Sequence, residues 1–338
     1  MPGTDSLKRG KSDTLTRCFL VAMVTAAVLA VVSSATAAWP SAQQNGDSAF
    51  YRVNVNLVVL TFSVTDAKGN SISGLKPSDV RIFEDGNPQK IASFAEGSKP
   101  AVHLLSSGPT SAGTNVFILF DTSDRMYRNI PYVCDSIANF LRSLDPADSV
   151  AIYTFSRNLI RAAPLTNDHL IARAGLAQNV SVGDDTALFN CVLLTLRDAA
   201  KVPGRKAVVV FSNGPDNKSM VSPEDVGRVA EDEGIPIYVV STLDANRDQL
   251  MAHALERLTQ RTGGKLYLAR NWQAQARAFT SIRDDIGTSY TAYYYPAPNP
   301  NEGFRSIKVE VASPSGKAYR IRARPGYQPR KSVPAPTN

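Results

Sequence analysis

Cysteine and histidine are scarce in this 338-residue chain, three of each, and no C-x-x-C pair occurs. That excludes a disulfide framework and a cysteine-based zinc site, since both need more thiols at fixed spacing. His103, His169 and His253 are scattered and form no H-E-x-x-H or other ligand spacing. No G-x-S-x-G elbow presents a serine nucleophile, and no G-x-G-x-x-G turn follows the first strand of the central region to hold a dinucleotide. Asp121 and Asp124 resemble phosphoryl-transfer carboxylates, but no lysine or further acid completes that set, which leaves a hydrolase the weakest reading. Lys and Arg outnumber Asp and Glu by 37 to 30, for a net charge of +7, yet no Lys/Arg run marks a nucleic-acid groove. No internal repeat is visible.

The first forty residues differ from the rest. Lys8, Arg9, Lys11 and Arg17 precede an apolar run from Cys18 to Val32, 15 residues long, short of the ~20 that a spanning helix needs. Ala35-Thr36-Ala37 then fits an A-x-A cleavage site, so residues 1–37 read as a signal peptide. An uncleaved anchor is the alternative, since the run can be stretched through Ala38. Cleavage would remove four basic and two acidic residues and lower the net charge from +7 to +5. The expected location is secreted, periplasmic or cell-envelope, with membrane contact only if the signal stays uncleaved. Cys134 and Cys191 remain, each among apolar residues in a predicted helix, the setting of a buried thiol. A pairing between them in an oxidising compartment stays open.

Residues 38–49 are polar and read as a flexible lead-in. A β module follows at 50–98, with a long strand at 51–64 and an Asp85-Gly86 hairpin signal between two alternating runs. Residues 99–113, rich in Ser, Gly and Pro, read as a linker. From 114 to 288 strands alternate with helices, beginning with the continuous apolar run Asn115–Phe120 of a strand buried on both faces. That pattern predicts an α/β fold, a doubly wound, mostly parallel sheet with helices on both faces. Three more strands fall within 289–328, too few for a domain alone, so they are expected to join 50–98 in one β-sandwich-like module. Residues 329–338 form a tail. The tyrosines at 290, 293, 294 and 295 alternate as residues packing on a neighbouring sheet do, rather than as a sugar-binding face.

In such sheets the functional crevice lies at the carboxyl ends of the strands. There the sequence puts Asp121-Thr-Ser123-Asp124-Arg125 after the first strand, Gly183-Asp184-Asp185-Thr186-Ala-Leu before a helix, and Ser212-Asn213-Gly-Pro-Asp-Asn217 after the 206–211 strand. These segments, in this order, resemble the von Willebrand factor A domain and its metal-ion-dependent adhesion site. The outer β pattern, Leu75-x₃-Asp79-Val80-x-Ile82-x-Glu84-Asp85-Gly86-x₂-Gln89-x-Ile91-x₂-Phe94, is similar to von Willebrand factor A-related exported proteins of Acidobacteria.

The resemblance implies a protein-binding function. A D-x-S-x-S loop, a later Thr and an Asp after the fourth strand would hold Mg²⁺, Mn²⁺ or Ca²⁺, and an acidic side chain of the partner would complete the shell. Asp121, Ser123 and Thr186 match that set. Two positions depart from it. Arg125 stands where the loop has its last Ser and has no lone pair to donate; Asn213 stands for the Asp and brings no charge. The site is therefore expected to be partly degenerate. Arg125 either pairs with Asp121 in place of the cation or grips a partner carboxylate. Asp124, Asp184 and Asp185 are nearby acids, and Arg157 and Arg128 would make the rim basic. The plainer alternatives are that Asp121 and Ser123 only cap their loop, that the arginines are ordinary solvated charges, and that the chain is a structural envelope protein without metal-dependent binding.

Overall fold

The computed structural model describes residues 57–103, 113–124, 126, 130–178, 183–243, 245–312 and 318–329. The expected signal peptide at 1–37, the lead-in at 38–49, Arg125 and Arg128 lie outside them. In chain order the elements are β1 (Val58–Thr65), β2 (Val80–Glu84), β3 (Asn87–Gln89), β4 (Ile91–Glu96) and β5 (Val102–His103). Next come β6 (Thr114–Asp121), α1 (Ile130–Ser143), β7 (Ser149–Phe155), β8 (Leu159–Thr166), α2 (His169–Gln178) and α3 (Leu188–Ala200). They are followed by β9 (Arg205–Ser212), α4 (Pro223–Glu233), β10 (Ile237–Ser241), α5 (Gln249–Thr262), β11 (Leu266–Leu268) and α6 (Trp272–Thr288). The last strands are β12 (Tyr290–Tyr294), β13 (Arg305–Val311), β14 (Arg320–Ala323) and β15 (Gly326–Tyr327).

The central sheet runs β11-β10-β9-β6-β7-β8, parallel except for β8, which returns from β7 as a hairpin. Its middle strand is apolar on both faces because both faces are covered. Val116, Ile118 and Phe120 enter one cluster with α1, α2 and α6, whereas Phe117 and Leu119 enter a second with α3, α4 and α5. Burying each such side chain stabilises the fold by roughly 1.5–3 kcal/mol. Cys134 packs on the first cluster and Cys191 lies in the second, so the sheet separates them and both thiols are free. Burial pushes the Cys191 thiol up to about 12. The helix starts carry local signals: Ser222 Oγ accepts the Asp225 N–H at 3.1 Å with Pro223 following, and Asp248 and Asn271 cap α5 and α6 in the same way.

Strands from both ends of the described chain form two antiparallel sheets, β14-β1-β12-β4-β5 and β15-β13-β2-β3. Their facing side chains share one apolar cluster that includes Leu60, Phe62, Ile82, Phe94, Tyr290 and Tyr294. Asp85 and Gly86 have φ of 48° and 81°, the left-handed pair a two-residue hairpin loop requires. The second arm of that hairpin is not one strand, however. It breaks at Lys90: β3 pairs with β2, and β4 crosses to the other sheet beside β12. The tyrosines divide as alternation dictates. The Tyr290 hydroxyl donates to Ile72 O at 2.8 Å, and Tyr294 and Tyr327 both donate to Glu84 Oε2 at 3.0 Å. Arg305 Nη1 holds Glu84 Oε1 at 3.1 Å, which pairs a fully buried carboxylate. Tyr295 stays exposed.

Arginines join the antiparallel sheets to the base of the parallel one. Arg324 donates to Glu231 O and Asp232 O at the end of α4, and to Val59 O of β1 at 2.9 Å. Arg322 donates to Asp285 near the end of α6 and to Ser63 Oγ at 3.0 Å. Helix C-termini present unsatisfied carbonyls and partial negative charge, so cations belong there.

Candidate functional site

Asp121 ends β6 and Ser212 ends β9, on neighbouring parallel strands. The chain leaves β6 toward β7 on one side, and leaves β9 toward β10 on the other. This is the switch point at which open α/β sheets form a crevice. Asp121 is fully buried there. Its Oδ2 accepts the Ser212 hydroxyl at 2.6 Å and its Oδ1 accepts the Ser123 N–H at 2.9 Å. Burial pushes its carboxyl above the ordinary range, against the pull of donors from Ser212, Ser123 and the Asn213 backbone.

Two loops are stitched together over this carboxylate. Ser123 bridges to Gly183, the Asp124 N–H donates to Gly183 O at 2.8 Å, and the Gly183 N–H donates to Thr122 O at 3.3 Å. Gly183 has no room for a side chain, because a Cβ there would lie 2.4 Å from Ser156 Oγ. A third loop, after β9, fixes Thr186. Asn217 Oδ1 accepts the Thr186 N–H at 2.9 Å, while Thr186 O accepts N–H groups of Asn217 and Lys218, both at 3.1 Å. The same loop caps α3, whose own Ala187 has no capping side chain: Asp216 Oδ2 accepts the Phe189 N–H, and Ser219 Oγ the Asn190 N–H, both at 2.9 Å.

The structure thus brings Asp121, Ser123, Thr186 and Asn213 to one end of the sheet. Asp185 lies beside them, held by Asn217 Nδ2 at 3.3 Å and facing Lys218 Nζ at 3.7 Å. Asp124 and Asp184 are exposed on the same two loops, and Arg157 is exposed in the β7–β8 turn at this end. Arg125 lies outside the described residues. Ser212, Asp216 and Asn217 join the site only in the structure. A hydroxyl on the last residue of a buried strand is the signal for Ser212, whereas no spacing rule points to Asn217.

Ser123 Oγ and Asn213 Oδ1 are buried and have no hydrogen-bond partner among the described residues. Such orphaned oxygens suit a hard cation or its water shell. The donor types therefore fit a divalent ion, while the charge beneath them is the single carboxylate of Asp121. Among the described residues no group of three or more His, Cys, Asp or Glu converges to hold a metal, and no helix is long and apolar enough to cross a membrane.

Residues 115–281 match the family model of the von Willebrand factor type A domain. No curated protein matches the chain. Among solved structures, similar ones include the conserved hypothetical protein BatB from Bacteroides thetaiotaomicron, 17% identical over 51% of this chain and 98% of that one, TM-score 0.43. Another is the vWF domain of the type V pili tip protein Mfa5 from Porphyromonas gingivalis, 10% identical over 53% and 96%, TM-score 0.44. A third is a von Willebrand factor type A protein from Catenulispora acidiphila, 9% identical over 82% and 75%, TM-score 0.43.

Proposed function

We propose that this chain, with its von Willebrand factor type A domain at 115–281, is an exported protein-binding or adhesion protein that takes its partner at the strand C-terminal end. One observation carries the reading: three loops converge at the switch point on a buried Asp121 and leave Ser123 Oγ and Asn213 Oδ1 without a protein partner. A buried polar cluster left half-satisfied is costly to fold and is kept where a ligand completes it. Export rests on the sequence of residues 1–37, and the likeness to exported proteins of Acidobacteria rests on the outer β pattern.

The adhesion site is partly degenerate. Ser123 and Thr186 would hold Mg²⁺, Mn²⁺ or Ca²⁺ with Asp121 and Asn213 behind them, and the ion would supply a positive centre for a partner's carboxylate. One buried carboxylate whose two oxygens already accept hydrogen bonds offsets little of a divalent charge, so binding of the partner depends weakly on metal.

Calorimetric titration with Mg²⁺ and Mn²⁺ tests this. The wild type should bind only at millimolar levels, and the double variant Arg125→Ser, Asn213→Asp should bind at least tenfold more tightly. Sub-millimolar binding by the wild type that disappears in Asp121→Ala would overturn the degenerate reading. A pull-down with and without chelator separates the alternatives. A partner kept in both supports metal-independent adhesion, and one kept only with Mg²⁺ supports an intact metal-dependent site. Capture of no partner by the wild type favours the structural envelope role.

A further inference from the structure

At the opposite end of the parallel sheet, Arg205 opens β9 inside the junction with the antiparallel sheets. It is 5% exposed, and its hydrogen bonds go from Nη2 alone, to Ile286 O at 3.2 Å and Ser289 Oγ at 2.9 Å. Nε and Nη1 have no partner, and neither does Thr114 Oγ at the start of β6. Arg205 and Thr114 line one small cavity together with Thr61, Pro236, Tyr238 and Ser289, with room for about one water-sized sphere.

An unpaired buried guanidinium is among the costliest groups a fold can carry. The carboxylate that acts on it is Asp148, also buried, whose Oδ1 is already taken by the Thr114 N–H and the Ser98 hydroxyl, both at 2.7 Å. The carbonyls in the wall are engaged as well: Ile286 O accepts from Arg205, and Pro236 O from the Val208 N–H at 3.0 Å. What the cavity offers an occupant is therefore donors. A neutral water there would accept from at most two of them and leave the guanidinium charge uncompensated. A monatomic anion accepts from all of them and compensates the charge.

We propose that Arg205 and Thr114 form a buried binding site for a halide ion, chloride under ordinary conditions, that locks the parallel sheet to the antiparallel ones. Binding to the folded state alone raises stability with ligand concentration. Crystals of the full chain grown in bromide test this directly. An anomalous peak within hydrogen-bonding distance of Arg205 Nε or Nη1 and of Thr114 Oγ is expected. In solution, exchanging gluconate for chloride at fixed ionic strength should raise Tm along a saturable curve. Thr114→Val should shift that curve to about tenfold higher chloride, one hydrogen bond's worth of affinity, and Arg205→Met should flatten it. Should Arg205→Met fail to fold, the bromide map and Thr114→Val still decide. A water in the cavity with bromide confined to the surface, or equal Tm in both anions, overturns the proposal.

Discussion

The two ends of the parallel sheet solve opposite electrostatic problems. Among the described residues every helix but α2 follows a strand or loop at the C-terminal end of the sheet, so that end collects helix N-termini and the base collects C-termini. Helix N-termini favour negative charge and C-termini favour positive charge. The base accordingly takes up arginines: Arg324, buried, and Arg322, half-buried, lie against the last turns of α4 and α6. The opposite end buries Asp121. The satisfied part of each cluster follows the dipoles, but the unsatisfied part differs in kind. The base leaves N–H donors of Arg205, Arg322 and Arg324 and the Thr114 hydroxyl unmatched, while the other end leaves the oxygens Ser123 Oγ and Asn213 Oδ1. One chain thus presents a donor-rich seam inside the molecule and an acceptor-rich pocket where loops meet. The seam binds the chain to itself; under the proposed function the other cluster meets a partner.

Breaking the seam should have the largest effect. Arg324→Met removes the donor from three carbonyls, Glu231 O, Asp232 O and Val59 O. Orphaning buried acceptors costs about 1–3 kcal/mol each before relaxation, so a loss of about 3 kcal/mol is expected in urea denaturation. A loss below about 1 kcal/mol would mean that the apolar contacts alone hold the sheets together. Gly234 sharpens the same point by geometry. It closes α4 with φ 65°, and a Cβ there would sit 2.6 Å from Val59 O. Gly234→Ala should destabilise by about 1–2 kcal/mol from strain and contact together.

The pocket should respond to pH rather than to packing. Burial raises the Asp121 carboxyl above its ordinary value. A raised acid binds its proton more tightly in the folded state, so its contribution to stability is full below the unfolded pKa of about 4 and is lost as pH rises through the folded value. Wild-type stability should therefore fall across that window by more than that of Asp121→Asn, which has no proton to lose. Parallel pH profiles for the two proteins in thermal unfolding would rule out a raised Asp121. Added Mg²⁺ sharpens the test, because a cation at the site favours the ionised form and should reduce the fall.

The two ends of the sheet are unequally legible in the sequence. Continuous apolar runs such as Asn115–Phe120 mark strands covered on both faces, and Ser222-Pro223 with Gly234 marks both ends of α4, so the order of elements is legible. The loop residues Asp121, Ser123 and Thr186 are legible because strand ends are where such a sheet keeps its site. The seam is not: Arg205, Arg322 and Arg324 look like surface charges in sequence. Only the fold brings β14, ninety residues away in sequence, against the end of α4. The break at Lys90 is hidden for a related reason, since alternation continues through it while the strand changes sheets. Asn217 is hidden because its role is to hold another residue, and no spacing rule records that.

Asn217 is also where the comparison can be made finest. Its Oδ1 takes the Thr186 N–H and its Nδ2 reaches Asp185. It is itself exposed, so its removal should cost only about 1 kcal/mol of stability, one hydrogen bond's net worth. If it serves mainly to position Thr186, Asn217→Ala should weaken partner capture severalfold with little change in Tm. Asn217→Asp keeps the acceptor for Thr186 but replaces the donor to Asp185 with a second negative charge. Recovery of capture by Asn217→Asp would assign the effect to Thr186. Failure of both variants would assign it to the Asp185 contact, and unchanged capture in both would remove Asn217 from the pocket's working parts.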